Sequence, residues 1–282
     1  MSKHTVEELL AAAAARLAPS SSSARLDAEL LLAQAMRFSR PTLLARPAQP
    51  VDDAAAAGFE ALVARRSAGE PIAYLVGHKA FWTLEIAVDP RVLVPRPETE
   101  LLVELAIERI PAGEATRVLD LGTGSGAVAI AIASERPDAD VVGVDASAGA
   151  LTVARDNAAS VEDVGVEFRE GSWWGPVAGE RFDVIVSNPP YLAADDPHLA
   201  DPALACEPRA ALVAGPGGLE AIAEIAAGAL AHLAPGGWLI VEHGFEQGEA
   251  VRKLFADAGL RDVETRRDLA GLERATLGRA AG

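Results

Sequence analysis

The chain has 282 residues, half of them apolar, which is enough for one large α/β domain with a small companion and too much for global disorder. A net charge of −16 with only three lysines (Lys3, Lys79 and Lys253) weighs against a duplex nucleic-acid partner, whose phosphates such a surface repels. The single cysteine, Cys206, excludes an internal disulfide and a cysteine-based metal cluster, and points to a reducing cytoplasmic compartment.

Charge is unevenly placed. Residues 1–75 hold eight Lys/Arg and eight Asp/Glu, so the whole negative excess falls in residues 76–282. The five histidines (4, 78, 198, 232 and 243) are scattered without ligand spacing, and no metal is expected. Near the start, an apolar run at residues 9–15 follows Glu7 and Glu8 and is cut by Arg16. A secretory signal would have a basic lead and a longer apolar core, so the expectation is an amphipathic helix capped by Thr5, with Glu8 at the capping-box position. No stretch approaches the length of a bilayer span.

Apolar residues at three- and four-residue spacing predict helices over residues 5–17, 24–36 and 53–66, separated by the Pro-Ser-Ser-Ser-Ser stretch from Pro19 and by the region from Pro41 to Pro50. Residues 1–78 are therefore expected to form a helical domain, either a substrate-docking unit or a structural cap. The aromatic and β-branched residues 81–88 read as a strand leading to a second at 92–94, a hairpin connector within residues 79–95. Pro97, Glu98 and Glu100 then open a helix to residue 110.

Alternation follows. Strands are predicted at residues 117–121, 141–145, 166–169, 182–187 and 238–242, with helices at 127–134, 148–158, 219–233 and 246–258, and two closing strands at 261–267 and 274–277. That pattern predicts an α/β fold, a mostly parallel sheet covered by helices on both faces, spanning residues 79–282.

Asp120-Leu121-Gly122-Thr123-Gly124-Ser125-Gly126 carries a strand into a glycine-rich turn, where open α/β sheets bind ligands. Asp145 lies nineteen residues past Gly126 at the end of the next strand, placed to bind both hydroxyls of a ribose. Dinucleotide sites carry G-x-G-x-x-G and seat a pyrophosphate on a helix N-terminus. An acid at Asp120 repels pyrophosphate but suits a cationic amino group. The cofactor expected here is S-adenosylmethionine, leaving as S-adenosylhomocysteine. After the third strand, Trp173 is expected to cover an adenine face, with Ser172 within reach of its amino group and Trp174 left in the core.

The strand 182–187 ends in Asn188-Pro189-Pro190-Tyr191. Two prolines carry no N–H and fix φ, so this turn presents rigid acceptors, the Asn188 side-chain oxygen and the Pro189 carbonyl. Both suit an NH₂ group held in line with a methyl sulfonium, with Tyr191 packing on the flat group that bears it. The alternative is an ordinary Asn-Pro-Pro turn. The long segment after Tyr191, with Asp195, Asp196, Pro197, Glu207 and Pro208, is expected to form a lid over the substrate. Within it Cys206 is expected to be a small buried residue, and His243 after the strand 238–242 to be structural rather than a base.

With these residues in hand, the chain resembles the release factor glutamine methyltransferases, the PrmC/HemK family. The resemblance rests on Glu70-Pro71-Ile72-Ala73-Tyr74-Leu75-Val76-Gly77, Val94-Pro95-Arg96-Pro97-Glu98-Thr99-Glu100, the stretch from Asp120 to Gly126, and Asn188-Pro189-Pro190-Tyr191. Glu207-Pro208-Arg209, Glu242-His243-Gly244 and Glu273-Arg274 extend it. It implies a five-helix N-terminal domain, a seven-stranded class I methyltransferase core, and methylation of the side-chain nitrogen of the Gly-Gly-Gln glutamine in class 1 release factors. Cofactor contacts are implied at Gly122, Thr123, Gly124, Ser125, Gly126, Asp145 and Trp173, with Asp120 and Asn188 also expected among them, and substrate contacts at Asn188, Pro189, Pro190 and Tyr191. Ser172 stands where many relatives carry Asp. The expected partner is a protein, met by a monomer, with no membrane and no direct nucleic acid. Adenine and guanine amino-group methyltransferases share the Asn-Pro-Pro-Tyr motif and form the alternative.

Overall fold

The computed structural model describes residues 4–282, so Lys3 and the first residues of the expected helical domain lie outside the described residues. The chain divides into two compact units, residues 1–78 with 198–206, and residues 79–197 with 207–282.

The first unit contains five consecutive helices, α1 (Val6–Leu17), α2 (Ala24–Met36), α3 (Arg40–Leu44), α4 (Asp53–Ser67) and α5 (Ile72–Val76). Helix α1 starts with the expected capping box: Thr5 caps Glu8, and the Glu8 carboxylate accepts from the Thr5 N–H at 2.8 Å. Leu10, Leu17, Leu31, Leu32, Phe59 and Val63 are fully enclosed in its core, each contributing about 1.5–3 kcal/mol by leaving water. Asp27 is buried among them on α2 and satisfied by Arg66 Nε at 2.7 Å and by the Ser21 and Ser23 hydroxyls at 2.8 and 3.0 Å. The serine-rich stretch thus does more than interrupt the helices. α3 and α5 have only five residues each, too short to show the apolar periodicity from which the longer helices were read.

The connector differs from the reading of the sequence. Its strands are β1 (His78–Phe81) and β2 (Leu84–Ala87), and the chain reverses at Trp82, whose φ is +55°. Residues 92–94 form no strand, because the Val94 N–H is taken by the buried Glu207 carboxylate at 3.0 Å and not by a sheet neighbour.

The second unit continues with α6 (Glu100–Ile107), β3 (Arg117–Leu121), α7 (Ala127–Glu135), β4 (Asp140–Asp145), α8 (Ala148–Ala159), β5 (Val166–Glu170), β6 (Phe182–Ser187) and β7 (Leu192–Ala193). After α9 (Pro202–Ala205) come β8 (Val213–Gly215), α10 (Glu220–His232), β9 (Leu233–Glu242), α11 (Gly248–Asp257), β10 (Arg261–Arg267) and β11 (Glu273–Arg279). A seven-stranded sheet has the order β10-β11-β9-β6-β3-β4-β5, parallel except for β11, which runs antiparallel to both neighbours. Leu119, Leu121, Val142, Ile185, Leu239 and Phe255 fill its core. Strand order reverses around β3, with β4 on one side and β6 on the other, which opens a crevice at their C-terminal ends.

The segment after Tyr191 is not one continuous lid. Its ends pair as β7 and β8, while residues 198–206, including α9, belong to the helical unit. There a Cβ on Gly69, whose φ is +102°, would sit 2.5 Å from the Pro202 Cβ, so α9 packs directly on the glycine turn after α4. Cys206 is half-buried, not enclosed as expected, because it stands at the exposed C-terminal cap of this one-turn helix. No helix among the described residues is long and apolar enough to cross a membrane.

Candidate active site

One cavity of about 380 Å³ opens in the crevice of the second unit. Its wall includes Asp120, Gly122, Thr123, Gly124, Ser125 and Asp145 from the ends of β3 and β4. Ser172 and Trp173 after β5, and Asn188 and Pro190 after β6, complete the set that the sequence singled out. Gly126, Pro189 and Tyr191 are not part of the wall. Gly126 starts α7, and a Cβ there would meet Ile130 and Ala154 at 3.0 and 3.2 Å, so it serves close packing of α7 on α8. Pro189 is buried, and Tyr191 packs partly buried against the sheet core.

The turn after β3 is set by glycine. Gly122, Gly124 and Gly126 have φ of +73°, +56° and +81°, in the left-handed region that other residues rarely adopt. A Cβ on Gly122 would make only an ordinary contact with the Trp173 ring at 3.5 Å, so it is the positive φ that favours glycine there. The turn is tied to both acids. Thr123 Oγ1 donates to Asp120 at 2.6 Å, the Gly124 N–H donates to Asp145 Oδ2 at 2.9 Å, and the Ser147 N–H donates to Asp145 Oδ1 at 2.8 Å.

Burial pushes the Asp120 carboxyl up to about 7, with the Thr123 hydroxyl opposing and the Asp145 charge adding to the rise. Asp145 is also raised, again chiefly by burial, with the two backbone N–H groups opposing. Two neighbouring carboxyls in a largely apolar hollow are costly as anions. A ligand with a cationic amino group near Asp120 and hydroxyls near Asp145 relieves that cost. The glycine cradle and the acid pair therefore fit an amino-acid nucleoside better than a pyrophosphate.

At the neighbouring edge, Asn188 Nδ2 donates to the Thr99 hydroxyl at 3.0 Å, which fixes the amide and leaves Oδ1 as a free acceptor. The Asn-Pro-Pro-Tyr turn is held from behind. Gln247 Nε2 donates to the carbonyls of Tyr191 and Gly218 at 3.0 and 3.2 Å, and its Oε1 accepts from the Gly244 N–H at 2.9 Å. Trp174 stacks on His232 with ring centroids 4.5 Å apart and is only partly buried, so it packs against the core without being enclosed.

His243 is fully buried, with Nδ1 donating to the Gly244 carbonyl at 2.8 Å and Nε2 accepting from Thr276 Oγ1 at 2.9 Å. Burial lowers its pKa and keeps the ring neutral, and both nitrogens are committed to structure. Two cavity positions received no role in the reading of the sequence: Thr99 and Pro95 line the cavity from the segment after the hairpin, and only the block Val94–Glu100 hinted at them. Pro208, in the segment expected to cover the substrate, does line the cavity, and Glu242 lies buried behind Tyr191.

A family model described as the PrmC N-terminal domain matches residues 8–77, and one described as the methyltransferase small domain matches residues 98–215. A release factor glutamine methyltransferase of Xylella fastidiosa (strain Temecula1) is 50% identical over 274 residues, covering 97% of this chain and 98% of the relative. Its counterpart in Burkholderia pseudomallei is 52% identical over 277 residues, covering 96% and 97%. Among solved structures, a methyltransferase from Pyrococcus furiosus superposes with a TM-score of 0.53 at 19% identity over 72% of this chain and 92% of that one, a likeness of fold alone. At half identity over nearly the whole length, with both domains matched, the chain belongs to the family of release factor glutamine methyltransferases.

Proposed function

We propose that the protein methylates the side-chain amide nitrogen (N5) of the glutamine in the Gly-Gly-Gln motif of class 1 peptide-chain release factors, using S-adenosylmethionine. The observation that carries this reading is the fixed Asn188 amide, anchored through Nδ2 on Thr99 at the wall of the same cavity that holds Asp120 and Asp145.

S-adenosylmethionine supplies an electrophilic methyl group on a sulfonium that is already a good leaving group. Asp120 would receive its cationic amino group, Asp145 its ribose hydroxyls, and Trp173 its adenine face. Gly122 and Gly124 let the backbone approach closely. The glutamine amide is a poor nucleophile because its lone pair is delocalised. Asn188 Oδ1 and the Pro189 carbonyl accept from its two N–H bonds, hold the nitrogen in line, and stabilise the positive charge that develops on it. The cofactor would supply the methyl carbon of the new N–CH₃ bond, with its sulfur taking the electron pair of the broken S–CH₃ bond, and the substrate nitrogen would release a proton to solvent. Positioning of this kind supplies up to roughly 7–11 kcal/mol in favourable cases. Tyr191 packs against the flat amide, and Pro190 stiffens the turn.

The helical unit, residues 1–78, serves as the docking domain for the release factor, and the enzyme works as a monomer in the cytoplasm. The test is transfer of labelled methyl to purified release factor, tRNA, rRNA and DNA offered separately. Label on the factor supports the reading; label only on nucleic acid means that the Asn188 pocket takes an exocyclic base nitrogen.

A further inference from the structure

Asn157 is one of two asparagines in the chain and, unlike Asn188, is not part of the cavity wall. It stands on α8 and is 2% exposed, with both hydrogens of its amide in use. Nδ2 donates to the Ser125 carbonyl at 2.9 Å and to the Ala87 carbonyl at 3.0 Å, while Oδ1 accepts from the Ala87 N–H at 2.8 Å. A flipped amide would set its oxygen against two carbonyls and its NH₂ against an N–H, so one orientation alone satisfies all three contacts.

Each partner leads to the cavity. Ser125 lies in the glycine turn, and its carbonyl shares a peptide plane with the Gly126 N–H, which donates to the Thr123 carbonyl at 2.8 Å. Gly124 and Gly126 flank that unit with φ of +56° and +81°, and glycines on both sides let it rotate at little steric cost. Asn157 holds its carbonyl end. Ala87 ends β2, which pairs with β1 in a two-stranded sheet, and Asn157 bonds both backbone polar groups of Ala87 as a neighbouring strand would. A tight turn follows, in which the Arg91 and Val92 N–H groups donate to the Asp89 carboxylate at 2.9 Å and the Asp89 carbonyl at 3.1 Å. It delivers Arg91, Val92 and Leu93 to the cavity wall.

The close seating of α8 makes this reach possible. Ala150, Ala154 and Asn157 follow one face of the helix at four- and three-residue spacing. Ala150 lines the cavity, Ala154 stands where a Cβ on Gly126 would meet it at 3.2 Å, and Asn157 meets Ser125. Small side chains at the first two positions bring the helix near, and the amide at the third makes the tie.

Building on the reading of this cavity as the S-adenosylmethionine site, we propose that Asn157 is a positioning residue for the cofactor, fastening the glycine turn to the hairpin limb that leads to residues 91–93. A turn held in its binding conformation spares the ligand the entropy of ordering it. Loss of the tie therefore appears in cofactor affinity and not in the methyl-transfer step, because Asn188 is anchored separately on Thr99.

Wild type, Asn157→Ala and Asn157→Asp are compared by titration calorimetry with S-adenosylmethionine and by steady-state kinetics on purified release factor, below the melting temperature of each protein. Asn157→Asp keeps the shape and the acceptor for the Ala87 N–H but exchanges the donating NH₂ for an acceptor, so it decides the matter if Asn157→Ala does not fold. Kd and the cofactor KM should rise about tenfold in both variants, with kcat at saturating cofactor within about threefold of wild type. Amide hydrogen exchange at Gly124 and Gly126 should quicken without cofactor and slow again when cofactor is bound. A variant that melts lower but binds cofactor with wild-type affinity shows Asn157 to be structural only and overturns the role, as does a loss confined to kcat. A wild type that binds no S-adenosylmethionine in the same calorimeter overturns the reading of the cavity itself, and this role with it.

Discussion

Gly124 donates its backbone N–H to Asp145 Oδ2 at 2.9 Å, tying the tip of the glycine turn to the acid that ends the neighbouring strand. The same carboxylate accepts from the Ser147 N–H through Oδ1 at 2.8 Å. Asp145 thus shapes the glycine turn, and it lines the cavity into which that turn faces.

Replacing Asp145 with alanine is predicted to weaken S-adenosylmethionine binding by about 1.5–3 kcal/mol, the range expected for lost charge-assisted hydrogen bonds. Titration calorimetry measures this directly. Unchanged affinity would remove Asp145 from the cofactor site.

Asn188→Ala separates binding from chemistry. Its side chain anchors on Thr99 and makes no contact with the acid pair, so cofactor affinity should stay within about twofold while kcat falls about 10²–10³-fold, as when a preorganised transition-state partner is lost. Turnover close to wild type would contradict the proposed role of Oδ1.

The central strands of the main sheet were legible because they are short apolar runs bounded by turn residues, and Phe182–Ser187 matches the expected limits, as does the charged edge strand Arg261–Arg267. The acid-and-glycine spacing from Asp120 to Asp145 likewise pointed to the cavity where these residues meet. The connector was misplaced because Trp82 turns the chain in a left-handed conformation that nothing in a run of aromatic and β-branched residues announces. The place of residues 198–206 was missed because α9 packs on Gly69, over a hundred residues earlier, and such a contact leaves no local signal. Glu242 looked like an ordinary strand-end acid, and only its complete burial, with the Tyr191 hydroxyl 3.5 Å away, sets it apart.

Asp120 should carry a trade between stability and binding. Burial raises its carboxyl to about 7 from an ordinary 3.8. Between those two values the native state holds more protons than the unfolded chain, so the ligand-free protein loses stability as pH rises through that window and recovers it as pH falls. Asp120→Asn is therefore predicted to melt higher than the wild type at pH 8 without ligand, yet to gain less from added S-adenosylmethionine. Thermal melts with and without ligand test both halves. A variant that melts lower without ligand would contradict the burial argument.

Gly122→Ala places a methyl group where φ is +73° and the Trp173 ring is 3.5 Å away. The left-handed conformation costs a residue with a side chain roughly 1–2 kcal/mol, and the methyl crowds the cavity that Gly122 lines. Lower melting temperature together with weaker cofactor binding is expected. Equal stability and equal affinity would mean that the turn tolerates a side chain and that its glycine is not set by the ligand.

The most direct test of the central claim is mass-spectrometric mapping of methyl groups on a class 1 release factor after incubation with this enzyme and S-adenosylmethionine, beside a factor whose Gly-Gly-Gln glutamine is changed to alanine. The predicted result is one methyl group on that glutamine in the intact factor and none on the altered one. Equal labelling of both factors, or label on neither, would contradict it.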